Sequence, residues 1–130
     1  MNRQQIETTP AGPELDALVA EAKGWEEYHT DEWVEFAGAV HKSAAGFWRK
    51  KNGEIVAHKY EHPWSTEIAA AWELVEERHQ KRDYLTLTYL MDVGPSPYYL
   101  AEFRMSKKWG KGITAPEAIT RAYLLAKLED

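Results

Sequence analysis

Residues 84–105, YLTLTYLMDVGPSPYYLAEFRM, decide the fold. Leu85, Leu87, Tyr89 and Met91 alternate with Tyr84, Thr86 and Thr88, and Tyr99, Ala101, Phe103 and Met105 alternate with Glu102 and Arg104. That is the period of strands with one buried face. Gly94-Pro95-Ser96-Pro97 between them suits only a turn, so 84–93 and 98–105 are expected to pair as an antiparallel hairpin. Downstream, Thr114-Ala115-Pro116-Glu117 reads as a capping box, with Ala118, Ala122, Leu125 and Leu128 on the buried stripe of the helix it opens.

Upstream, Asn52-Gly53 separates FWRKK from EIVAHKY and predicts a second hairpin, strands 46–51 and 54–60, closed by a two-residue type I′ turn. Ser65 stands where it could cap a helix carrying Ile68, Ala71, Trp72 and Val75 on its apolar face, with Arg78, Lys81 and Arg82 suited to its other end. Leu15, Leu18, Val19 and Ala22 predict a helix over 13–23 that Pro13 opens and Gly24 stops. Residues 25–42 mix aromatics with carboxylates, and short strands are readable near 25–28 and 33–36. Residues 1–8 are expected to be loose. The order α-(β)-β-β-α-β-β-α gives an α+β fold, an antiparallel sheet of four or five strands with helices packed on it, in a single domain over 1–130.

The chain has 130 residues and no Cys, which excludes disulfide scaffolds, thiolate zinc sites, iron–sulfur clusters and cysteine nucleophiles. It contains neither a run of about 18 apolar residues nor a signal peptide, so a cytoplasmic protein without a membrane partner is expected. The net charge of -5 argues against a general nucleic-acid binder, but the charge is segregated. Residues 1–40 hold 2 basic and 9 acidic side chains, 41–60 hold 5 and 1, and 101–113 hold 4 and 1.

Three segments could carry function. Ser106-Lys107-Lys108-Trp109-Gly110-Lys111-Gly112 reads as a basic, glycine-containing loop entering a helix N-terminus. Arg104, Lys107, Lys108 and Lys111 could meet a phosphate there while Trp109 stacks on a base. A solvated connection is the plainer alternative, and the spacing is neither a Walker loop nor a dinucleotide fingerprint. In the basic ribbon 47–51, Trp48, Arg49 and Lys50 could face a partner, or else serve only to block edge-to-edge aggregation. The acidic aromatic run holds Glu27, Glu32, Trp33 and Glu35, and could dock on a basic protein surface, lie as a solvated face, or pair with the chain's own basic hairpin. The five histidines show no metal-ligand spacing, and no hydrolase context joins Ser, His and Asp. No metal, cofactor or enzymatic activity is expected.

The segments TTPAGPELDALVAEAKGW (8–25), WSTEIAAAWELVEE (64–77) and APEAITRAYLLA (115–126), together about a third of the chain, are similar to those of the phage ABA sandwich domain family, small proteins encoded by bacteriophages and prophages. The resemblance implies α/β/α layering and a phage origin, and it brings no catalytic motif. It implies no activity by itself, but small phage proteins outside the virion often act on the host. On that basis the expected function is a non-enzymatic, homo-oligomeric binder in the host cytoplasm that counters defence by sequestering a nucleotide-type signal. The alternatives are an inhibitor that presents the acidic aromatic surface to a host nucleic-acid-targeting defence complex, and an accessory phage protein whose surfaces are inert.

Overall fold

A computed structural model describes residues 1–59, 61–91, 94 and 96–130. The chain forms two compact units, one of residues 1–19 with 63–130 and the other of residues 20–62.

The first unit is built around helix α4 (Ala115–Lys127), which is buried from Pro116 to Ala126 except at Arg121. Strands β6 (Leu85–Leu90), β7 (Tyr98–Phe103) and β8 (Lys108–Gly112) form an antiparallel sheet in that order. The register pairs Leu87 with Ala101 and Ala101 with Gly110, so these residues share one face of the sheet. Helix α4 lies on that face, over β7 and β8. Its close approach depends on glycine: a Cβ at Gly110 would fall against the Ala118 carbonyl oxygen and the Ala122 amide, and one at Gly112 against the Ala118 amide. The expected loop at 106–112 is therefore corrected. Lys108–Gly112 is a paired strand, and its glycines make room for a helix.

Helix α3 (Ile68–Gln80) packs on α4. Its buried stripe is Ala71, Leu74, Val75 and Arg78, while Ile68 and Trp72, expected to be buried, are 51% and 48% exposed. Ser65 does not cap this helix. It is buried, its backbone N–H donates to the Asp16 carboxylate (2.8 Å), and its hydroxyl accepts from the Gly12 N–H (2.8 Å). These bonds tie the segment before α3 to the start of helix α2 (Pro13–Ala22). Burial pushes the Asp16 carboxyl above its usual range despite the Ser65 bonds. The capping box at 114–117 forms only in part: the Thr114 hydroxyl accepts from the Glu117 N–H at 3.4 Å, but the Glu117 carboxylate turns to Arg121. Residues 1–8, expected to be loose, include a short helix. Asn2 caps a short helix α1 (Arg3–Thr8) that buries Ile6, and the Arg121 guanidinium donates to the carbonyls of Ile6 and Thr9.

An ionic lock closes the unit. Arg78 and Asp83, 3% and 1% exposed, pair at 2.7 Å, and Arg78 Nη1 reaches Asp130 at 2.7 Å. The Asp83 carboxylate also accepts from the Met105 and Ser106 amides, joining the start of β6 to the turn after β7. Burial alone would raise the Asp83 pKa, but the Arg78 and Ser106 bonds outweigh it and hold the carboxyl below its usual range.

The second unit contains β1 (Trp25–Tyr28), β4 (Phe47–Lys50) and β5 (Ile55–His58) in a sheet ordered β1-β4-β5, and a separate hairpin of β2 (Val34–Phe36) and β3 (Ala39–His41). The strands expected in one sheet are thus divided among three, still antiparallel and with helices packed on a sheet. The type I′ turn is not at Asn52-Gly53. There the Gly53 N–H bonds the Lys50 carbonyl and the Lys50 N–H bonds the Glu54 carbonyl, with φ +93° at Gly53, the three-residue connection that ends in a glycine bulge. Two successive positive φ values occur instead at Ala37 (53°) and Gly38 (77°), between the paired residues Phe36 and Ala39. Among the described residues no helix is long and apolar enough to cross a membrane.

Candidate binding site beside strand β8

Alternation along β8 sends Trp109 and Lys111 to the sheet face opposite α4, where the register sets Lys111 beside Leu100 and Trp109 beside Glu102. The Lys111 ammonium lies 4.2 Å from the centre of the Tyr98 ring, a cation–π distance. A cavity of about 560 Å³ opens here, running from Tyr98, Leu100, Trp109 and Lys111 around the β8 edge to Glu117 and Arg121 of α4. This volume lies within the range of small-molecule sites. Trp109 is 50% exposed, so its indole face is available to a planar ligand.

Arg121 shapes the cavity without offering free charge. Its guanidinium donates to the carbonyls of Ile6, Thr9 and Lys111, and pairs with Glu117. The bond to Lys111 occupies a carbonyl on the outer edge of β8, so the arginine that anchors α1 also blunts this edge against strand pairing. Among the described residues that line the cavity, Lys111 is the remaining cation.

Of the five residues expected to bind a ligand, Trp109 and Lys111 line the cavity, and Arg104, Lys107 and Lys108 do not. Lys107 occupies the turn before β8 at φ 57°. Lys108 falls on the α4 side of the sheet, and its ammonium pairs with Glu129 at 2.6 Å. Strand alternation separates the three lysines that a loop would have let converge. Tyr98, Leu100 and Arg121 were not readable as site residues. The signal available was parity: once Trp109 and Lys111 are assigned to a strand, the hairpin register carries Tyr98 and Leu100 to the same face.

The second candidate surface is changed more deeply. Trp48, expected to face a partner, is 4% exposed and its indole N–H donates to the Lys59 carbonyl. Arg49 pairs with Glu26 at 2.8 Å and stacks over Tyr28 at 4.4 Å, and Glu27 pairs with Lys59 at 2.5 Å. The Lys59 ammonium holds the Glu27 carboxyl below its usual range. Within this unit the acidic run is therefore partly neutralised by the chain's own basic ribbon. Lys50 remains exposed, bridging to Glu54, and Glu32, Trp33 and Glu35 stay exposed on and before the β2–β3 hairpin. Among the described residues no group of three or more His, Asp or Glu is placed to hold a metal ion. No protein-family model, curated protein or solved structure matches this chain.

Proposed function

We propose that the protein is a non-enzymatic binder that holds a nucleotide-type molecule in the β8 cavity, with the base against Trp109 and a single phosphate at Lys111. The observation that carries this reading is the conjunction of an exposed indole, a phenol ring and one ammonium along the wall of a cavity of about 560 Å³. Lys111, which rests against the Tyr98 ring and meets no carboxylate among the described residues, suits one phosphate, which favours mononucleotide-type ligands over di- and triphosphates. Sequestration needs affinity and no turnover. In the phage setting that the family resemblance implies, the sequestered molecule would be a host defence signal in the host cytoplasm.

The test is a thermal-shift screen against nucleoside monophosphates, cyclic dinucleotides and NAD-derived molecules. A ligand at a hundred times its dissociation constant stabilises the fold by about 2.7 kcal/mol, a rise of several degrees for a domain of this size. A cooperative melt that no compound moves would sink the reading.

The exposure of Trp33, 67%, beside Glu32 and Glu35 favours a second reading, in which the β2–β3 hairpin meets a basic protein surface. That reading predicts binding lost on reversing Glu32 and Glu35 and kept in Lys111→Ala.

A further inference from the structure

The two edges of the β6–β7–β8 sheet are built differently. The β8 edge is guarded by Arg121 and two lysines, whereas β6 carries no charged side chain from Tyr84 through Met91. Thr86, Leu87, Thr88 and Tyr89 are all exposed, with Leu87 at 39%, Tyr89 at 47% and the adjoining Met91 at 65%. A neutral, β-prone, apolar edge with both faces open is what soluble proteins ordinarily avoid or pair.

The hydrogen-bond phase of this edge follows from the register. The Arg104 N–H donates to the carbonyl of Tyr84, the residue directly opposite it when the Leu85–Phe103 register is extended by one. Bonding alternates along an antiparallel ladder, so Tyr84, Thr86, Thr88 and Leu90 turn their backbone groups toward β7. Leu85, Leu87 and Tyr89 turn theirs outward.

We infer that β6 is a self-pairing edge, and that two copies of this chain join their sheets antiparallel about a two-fold axis at Leu87. An axis perpendicular to the sheet keeps the helix-bearing faces on the same side and sets each Leu87 opposite its own counterpart, with Leu85 opposite Tyr89. The outward amides and carbonyls of three residues from each copy then exchange on the order of six hydrogen bonds. Leu87 and Tyr89 of the two copies form one apolar cluster on the helix side. No charge within 84–91 opposes this contact, although each chain carries a net charge of -5. The same axis at Thr88 would present backbone groups already bonded to β7, which fixes the phase. This pairing leaves both β8 cavities at the outer edges of a six-stranded sheet and does not depend on what they bind.

Sedimentation of the whole chain at tens of micromolar tests the pairing, with a species of about twice 15.0 kDa expected. Leu87→Lys, which sets two ammonium groups face to face at the axis, is expected to sediment as a monomer. The chain lacks cysteine, so single-cysteine variants report the phase directly even where Leu87→Lys fails to fold. In a hydrogen-bonded pair the Leu87 Cα atoms lie roughly 5.5 Å apart, within disulfide reach. Leu87→Cys is expected to oxidise to a covalent dimer, whereas Thr88→Cys, offset by two residues across the axis, is expected to stay largely uncrosslinked. A monomeric wild type, a dimer that survives Leu87→Lys, or equal crosslinking of the two cysteine variants would overturn the proposal.

Discussion

The β8 and β6 edges of one small sheet show two solutions to the same problem of unpaired backbone groups. At β8 the chain spends an arginine, a charged strand and a helix start on covering the edge, and the covering leaves a cavity. At β6, among the described residues of the single chain, no strand pairs with the edge. Helix α4 sits over β7 and β8 because Gly110 and Gly112 admit it there. Strand β6 lies beyond the reach of that packing, so Leu87 and Tyr89 keep the exposure that Ala101 and Phe103 lose. The asymmetry of the sheet is thus set by where glycine permits a helix.

The most damaging way to break this difference is Gly110→Val. The added side chain would meet helix backbone, which cannot move aside as a flexible side-chain tip does. A loss above about 4 kcal/mol is expected, enough to remove the cooperative melt, with circular dichroism as the readout. Next is Asp83→Asn, which leaves Arg78 buried with only Asp130 to pair with and weakens the tie between the β6 start and the turn before β8. A loss of about 3 kcal/mol by denaturant titration is expected.

The same lock gives a pH signature. Asp83 and Asp130 have carboxyl pKa values lowered in the fold, where burial is outweighed by their cationic partners. Their contribution is complete above the unfolded value of about 3.9, and it is lost as pH falls from there through the folded values. Wild-type stability should therefore drop below about pH 4, and Asp83→Asn should drop less. Smallest in the stability of the single chain, within about 0.5 kcal/mol, are Trp109→Ala and Leu87→Lys, since both side chains are substantially exposed there. Their effects should appear in binding and in association respectively.

The pairing of 85–90 with 98–103, the final helix and the helix at 13–22 were legible because each carries its period in contiguous sequence, while the expected strand end at 92–93 and the turn through Pro95 lie outside the described residues. What was not legible depended on distant partners. Ser65 looks like a helix cap until Asp16 and Gly12 are brought to it from the far end of the chain. Ala37 gives no turn signal, yet it takes a positive φ that Asn52, in the pair best suited to it, does not. The glycines of 106–112 suggested a phosphate loop because only the fold reveals the helix that needs them. His41 and His58, 17 residues apart in the chain, meet at 3.0 Å beside Phe36 and Phe47, a pair that no spacing rule anticipates. Two of the five expected ligand contacts, Trp109 and Lys111, lie in the cavity because they are two apart on a strand, a parity already present in the sequence but read as a loop.

The most direct measurement is a calorimetric titration of wild type and Trp109→Ala with the nucleoside monophosphate that raises the melting temperature furthest. Loss of one base–aromatic stack predicts binding weaker by about 1–3 kcal/mol, roughly 5- to 150-fold, with an unchanged melt. Equal affinity in the two proteins, or a wild type that binds no nucleoside monophosphate, would contradict the assignment of the β8 cavity.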